Sequence, residues 1–182
     1  METGLLLVDI QNDYFPNGRL ALSGMDAAVQ RAFRLLSFFR ERHRPSFHVR
    51  HIATEPDATF FQPDTVGVEI NHRVKPLDGE VVITKRFPNS FRETDLAAAL
   101  EKAGIQKLVI CGAMSHMCID ATTRAAADLG FSCIVIHDAC ATRDLVFETR
   151  KIIAKDVHGA FMAALGSAYA KIMSCTEYLH NP

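Results

Sequence analysis

Short apolar runs alternate with longer amphipathic segments along this chain, and that rhythm predicts strands and helices in turn. Gly4-Leu5-Leu6-Leu7-Val8 is an unbroken apolar run of buried-strand type. Residues 25–42 have helical spacing, with Val29, Phe33, Leu35 and Leu36 on the apolar face, and Pro45 stops them. Residues 46–51 and 81–84 read as the second and third strands. Residues 94–103 read as a helix capped by Thr94 and ended by Gly104, and residues 107–111 as the fourth strand. An alanine-rich helix over 119–129 closes at Gly130 and leads to a fifth strand at 133–136. Residues 147–165 read as helix, in one piece or two around Gly159, and 170–173 as a short last strand. This alternation predicts an α/β fold: three α/β/α layers around a mostly parallel, Rossmann-like sheet of about six strands. Residues 54–79 stay irregular and rich in proline. Loops of that length are commonly functional, and Phe60-Phe61 within it reads as a lid or an oligomer contact, beside a plain surface excursion.

Composition narrows the classes. The chain has 182 residues, which predicts one domain over 1–182 with a core that needs no staple. The formal net charge is −1, with both signs interspersed and no basic stripe, so no nucleic-acid partner is expected. The densest basic cluster, 40–44, ends a helix, where cations favour the dipole. Asp9 interrupts the first apolar run, and no apolar span approaches membrane length, so neither a secretory segment nor a membrane partner is expected. Five cysteines without a CxxC pair argue against a disulfide framework or a zinc knuckle and suit a reducing, cytoplasmic setting. Cys111 and Cys133 lie in strand-like runs and read as core, while Cys140 and Cys175 have no activating neighbours.

The chemistry gathers where strands end, because ligands of open α/β sheets bind beyond the carboxyl ends of the strands. Strand one ends at Asp9, strand three at Lys85, strand two near Arg50 and His51, and strand five near His137 and Asp138. Strand four empties through Gly112 into Cys118, which the pattern places in the first turn of a helix. Unpaired N–H groups and the helix dipole at that position are expected to lower the thiol pKa and to hold an oxyanion. Asp9 would take the thiol proton, Lys85 would favour the thiolate, and acyl transfer follows. Blander readings stand beside this one: a plain Asp9–Lys85 ion pair, or Cys118 as a small core hydrophobe. Two other functions also fit, a hydrolase using Cys118 with His137 or His158 and Asp138, and a non-enzymatic binding or assembly module.

The motifs themselves resemble a known family. Asp9-Ile10-Gln11-Asn12-Asp13-Tyr14-Phe15 is similar to the opening motif of the isochorismatase-like cysteine hydrolases. Thr84-Lys85 with Asn89-Ser90-Phe91 resembles their second motif, and the segment from Cys111 to Thr122 their third. The likeness continues through His137-Asp138-Ala139-Cys140-Ala141-Thr142. The resemblance implies a catalytic triad of Asp9, Lys85 and Cys118. It also implies a non-proline cis peptide at Ala113–Met114 and oxyanion N–H groups on Met114 and Cys118. Isochorismatases that cleave a vinyl ether lack the cysteine, so its presence points to C–N hydrolysis. Nicotinamidases carry an Asp-x-His metal pair after the second strand; here His51-Ile52-Ala53 stands in that place, and His51 with His72 alone makes a poor site. No metal and no cofactor are therefore expected. The expected substrate is a small amide, carbamoyl or ureido compound, a maleamate-like acid or a lactam-type antibiotic. Tyr14, Phe61, Phe91, His116 and Met117 are the expected pocket lining, with core packing or an oligomer contact as the other role for Phe61 and His116. Arg50 and Arg86 are candidates for holding a substrate carboxylate or for ordinary solvated arginines. A homo-oligomer, dimer or tetramer, is expected from the Phe60-Phe61 loop, the apolar segment 161–169 and the resemblance.

Overall fold

The central strand β1 (Glu2–Val8) is the Leu-Leu-Leu-Val run, and its side chains alternate between two cores. The structure, a computed structural model, describes residues 2–55 and 57–182. After β1 the chain forms α1 (Met25–Glu41), β2 (Ser46–His51), β3 (Val81–Lys85), α2 (Leu96–Lys102) and β4 (Ile105–Ala113). Then follow α3 (Asp120–Asp128), β5 (Ser132–Ala141), β6 (Leu145–Phe147), β7 (Arg150–Ile152), α4 (Ala154–Ala168), β8 (Lys171–Met173) and α5 (Cys175–His180). Six strands pair in parallel in the order β3-β2-β1-β4-β5-β8. Leu5 and Leu7 face α1 and α5, while Leu6 and Val8 face α2, α3 and α4. This is the three-layer α/β/α arrangement that the alternation of runs predicts. The strand order reverses between β1 and β4, so the crevice of such a sheet opens beside Asp9 and Ala113.

Three elements depart from the sequence reading. The stretch read as helix from Phe147 begins as an antiparallel hairpin, β6–β7, turning at Glu148 with φ 55°. Val146, Phe147, Thr149, Ile152 and Ile153 are β-formers that outweigh helical spacing. Helix α4 starts at Ala154, whose N–H donates to Asp144 Oδ1 at 2.7 Å, and runs unbroken through Gly159. Strand β5 extends to Ala141, so His137 and Asp138 lie within the strand rather than at its end. Helix α5 went unread, although Ser174-Cys175-Thr176-Glu177 is a capping box with both reciprocal bonds formed. Among the described residues, no helix is long and apolar enough to cross a membrane.

The excursion between β2 and β3, of which Pro56 lies outside the described residues, is held by the segment after β1. Gln11, fully buried, donates to the carbonyls of His51 and Val68, both at 2.8 Å, and accepts from His51 N–H at 2.7 Å. Asn12 donates to Val66 O at 2.9 Å, and Asp13 Oδ2 accepts from Phe61 N–H at 2.6 Å. Phe61 is itself buried, with φ 54° and its ring 4.7 Å from that of Tyr14. The reading of Phe61 as an oligomer contact is thereby overturned: Asp13 fixes its backbone and Tyr14 covers its ring.

Candidate active site

Asp9 leaves β1 with φ 51°, a left-handed conformation that aspartate tolerates better than most residues and that recurs at functional sites. This turn carries the carboxylate across the mouth of the sheet. Lys85 ends β3, and its ammonium lies 2.7 Å from Asp9 Oδ2, with both side chains fully buried. A spacing of about 4.8 Å between strands puts β3 roughly 10 Å from β1, so the lysine reaches its partner over the end of β2. His51 ends β2 as the register partner of Lys85, and its Nδ1 lies 3.0 Å from Lys85 Nζ. The ammonium also donates to Phe87 O at 3.0 Å and Cys118 Sγ at 3.2 Å.

Strand β4 delivers the third group. Gly112 has φ 128°, and a Cβ there would sit 1.9 Å from Val8 O, so only glycine lets β4 approach β1 this closely. The next peptide, Ala113–Met114, is cis. Residues Ser115–Ile119 then form a single wide π turn ahead of α3, closed by Ile119 N–H donating to Met114 O at 3.2 Å. Such turns are frequent at functional sites. Cys118 projects from this turn and is 4% exposed.

The electrostatics reverse one expectation. Burial, and then the Asp9 carboxylate, push the Cys118 thiol above its ordinary value, against the pull of Lys85. The helix dipole that the sequence reading invoked is outweighed by the loss of water around the sulfur. Lys85 is the converse: burial works against its charge, yet Asp9 and Cys118 raise its pKa overall, so it stays an ammonium. Asp9 has no other hydrogen-bonding partner among the described residues, which leaves a carboxylate lone pair free for the thiol proton. Tyr14, 1% exposed, senses the charges of both Cys118 and Asp9, and burial with these charges raises its hydroxyl far above normal, so it is a neutral phenol.

An Asp9 oxygen, a His51 nitrogen and Cys118 Sγ lie within 4.8 Å of one another, a donor set that fits a thiophilic cation. The Lys85 ammonium already stands among these three atoms, so a metal ion would have to displace it. His72 is on an exposed turn and does not join His51.

The remaining candidates divide. His116 and Met117 flank Cys118 on the π turn; His116 Nδ1 lies 2.6 Å from Thr142 Oγ1, and Met117 is 40% exposed. Phe91 does not join the site. Its ring stacks on Phe131, which follows the far end of α3, because Ser90 is tied to Thr122 on that helix. Arg50 reaches sideways to Thr84 Oγ1 at 3.0 Å, and Arg86 is exposed. His158 Nδ1 bonds Ser115 Oγ at 2.8 Å, and Asp138 bonds Arg31 at 2.8 Å and Cys175 N–H at 2.7 Å, so neither serves Cys118. Sequence reasoning missed Gln11, Gly112 and Arg143. The charge of Arg143, an exposed side chain, is felt by both Tyr14 and His116. A buried glutamine in the opening motif and a glycine between two apolar strand ends were the available signals.

The family model of the isochorismatase domain matches residues 3–172. The chain belongs to the isochorismatase family. An isochorismatase family protein of Bacillus subtilis, YddQ, is 51% identical over 98% of this chain and 99% of its own. A crystal structure assigned as an isochorismatase hydrolase from Oleispira antarctica has 49% identity and a TM-score of 0.96, covering 99% of this chain and 97% of its own. The streptothricin hydrolase of Streptomyces noursei is 33% identical over 92% of this chain and 57% of its own. A maleamate amidohydrolase of Pseudomonas putida is 27% identical over 93% of this chain and 82% of its own, so this isochorismatase-family hydrolase has an amidohydrolase among its relatives.

Proposed function

We propose that this protein is a cysteine amidohydrolase that cleaves a C–N bond of a small amide, carbamoyl or ureido compound through a thioester. The observation that carries the reading is the buried contact of Lys85 Nζ with Asp9 Oδ2 at 2.7 Å and Cys118 Sγ at 3.2 Å. In the resting site the thiol is protonated and Asp9 is the base. The negative charge that raises the thiol disappears as Asp9 takes its proton, so transfer and attack proceed together. Cys118 Sγ bonds to the substrate carbonyl carbon, and the oxygen gains the electron pair, held by the N–H groups of Met114 and Cys118. Asp9 then gives its proton to the departing nitrogen as the C–N bond breaks. A water, deprotonated by Asp9, attacks the thioester, and the thiol returns with the acid product. Throughout, Lys85 stays charged and balances whichever of Asp9 and Cys118 is anionic.

The test is a panel of small amides and ureides with ammonia release as readout. Wild type is expected to turn over at least one, Cys118→Ala none, and Asp9→Asn less by about 10²–10⁴-fold with its fold intact. No turnover across the panel, or an active Cys118→Ala variant, would overturn the reading. We further propose a cytoplasmic homo-oligomer joined through the β6–β7 hairpin. Val146 and Phe147 there are 72% and 69% exposed, more than an isolated chain has reason to leave in water.

A further inference from the structure

Four groups surround the Lys85 ammonium, which has three protons to donate. Asp9 Oδ2 at 2.7 Å and Phe87 O at 3.0 Å are acceptors in every protonation state of the reaction that leaves Asp9 ionised. His51 Nδ1 at 3.0 Å and Cys118 Sγ at 3.2 Å compete for what remains. A protonated thiol is a weak acceptor and a thiolate a strong one, so as the thiol proton passes to Asp9 the ammonium turns from the carboxyl toward sulfur, and His51 Nδ1 is an acceptor that this transfer leaves unchanged. An ammonium only donates, so His51 carries its own proton on Nε2 and presents Nδ1 as a lone pair. The imidazole is not placed there by chance. Gln11 grips both the N–H and the carbonyl of His51, Ile52 N–H donates to Lys85 O at 3.0 Å, and the ring lies 5.9 Å from that of Phe61.

Resting on the amidohydrolase reading, we propose that His51 is the positioning residue of this site: its neutral Nδ1 holds one ammonium proton throughout, so that the N–H which Asp9 gives up on taking the thiol proton is directed to the Cys118 thiolate. No proton leaves the lysine in this exchange; with one N–H held by His51 and one by Phe87 O, the third lies between Asp9 and sulfur and shifts toward sulfur as the thiolate forms. Without His51 the ammonium keeps Phe87 O as its one neutral acceptor, and the remaining N–H groups are less tightly confined to the line between Asp9 and sulfur.

Protonation of His51 would turn Nδ1 into a donor and set two cations 3.0 Å apart, driving the ammonium off its position. The groups that face the ring are Lys85 from β3, Asp9 from the end of β1, Cys118 from the π turn, Glu55 from the following loop and the Arg86 carbonyl. Asp57 lines the same hollow beside it. Burial first, then Lys85, lower the pKa of the ring from 6.5, while Asp9 and Glu55 oppose them. The neutral acceptor therefore persists at neutral pH and is lost only in acid.

The experiment follows Cys118 alkylation by iodoacetamide, read by intact mass and peptide mapping across pH, alongside ammonia release from any substrate found. Wild type is expected to show an acid limb below pH 6.5. His51→Ala should react about 10–100-fold more slowly at neutral pH, the worth of a hydrogen bond to a charged group. In His51→Asn the side-chain oxygen can stand where Nδ1 stood. It should recover to within about threefold of wild type and lose the acid limb, whereas His51→Gln, whose oxygen is one methylene further out, should not recover. Thermal melts of each variant separate lost positioning from lost fold. His51→Ala alkylating like wild type, His51→Asn no better than His51→Ala when both are folded, or an acid limb surviving in His51→Asn would each overturn the proposal. If no amide is hydrolysed, the amidohydrolase reading falls, and the alkylation series still decides the role of His51.

Discussion

Replacing Lys85 with methionine keeps the length of the side chain and removes the ammonium. The site it leaves is stringent: Asp9 and Lys85 are both fully buried and 2.7 Å apart, and Asp9 has no other hydrogen-bonding partner among the described residues. Deleting one member of a buried pair leaves the other charge uncompensated, at a cost of about 3–5 kcal/mol. At about 2–4 °C per kcal/mol for a chain of this size, Tm should fall by roughly 6–20 °C. The Asp9→Asn/Lys85→Met double variant removes both charges and should regain more than half of the loss, a coupling that a double-mutant cycle measures directly. Hydrolysis should be absent from the single and the double variant alike, which separates stability from chemistry. Urea titrations monitored by circular dichroism provide the free energies. A Lys85→Met protein within about 1 kcal/mol of wild type would refute the argument, since that is less than the smallest penalty such a burial allows. So would a double variant less stable than the single one.

Three other outcomes are expected. Gly112→Ala should cost at least ~3 kcal/mol and cut activity, because its Cβ would stand 1.9 Å from Val8 O at φ 128°; a melt near that of wild type would contradict the close approach. Burial would push Glu80 up, but the Arg40 guanidinium, the Leu77 N–H and His48 hold it down at about 2, against an ordinary 4.5. A depressed carboxyl contributes stability above its unfolded value and loses it as pH falls through the folded one. Glu80→Gln should therefore cost ~2 kcal/mol at neutral pH, after allowance for solvent, and the gap from wild type should close between pH 4.5 and about 2 in acid titrations of stability. Light scattering should give a multiple of the 20.2 kDa chain mass, reduced toward a single chain in Phe147→Glu; a wild-type mass of one chain would dismiss the oligomer.

Much of the fold was legible because the parallel sheet is buried on both faces, so its strands appear as continuous apolar runs. Leu5 to Val8 and Leu108 to Cys111 needed nothing else. The strand-end rule then collected Asp9, Lys85 and Cys118 from positions far apart in the chain. What stayed hidden depends on neighbours rather than on local pattern. Phe61 looks like an exposed aromatic until Asp13 and Tyr14 are placed around it. Phe91 belongs to a motif, yet the Ser90–Thr122 bond carries it along α3 toward Phe131. His51 was visible at the end of a strand, but only the pairing with Lys85 sets the two side by side. The thiol of Cys118 was misjudged for the same reason: the dipole is a local quantity, whereas burial and the Asp9 carboxylate are not.

Apart from one bond from the Asn71 amide to Asn12 Oδ1, the side-chain grip of Gln11, Asn12 and Asp13 on the excursion between β2 and β3 falls on main-chain atoms: the His51 N–H and carbonyl, the Phe61 N–H, and the carbonyls of Val66 and Val68. Peptide groups are the same whatever side chains they bear. The wall of the pocket can therefore be rewritten residue by residue while its course through space, and the seat of the base four residues upstream of Asp13, stay put. A fold fastened in this way separates the inheritance of chemistry from the inheritance of specificity. Libraries confined to side chains between the anchor points should exchange substrates without unmaking the machine that cleaves them.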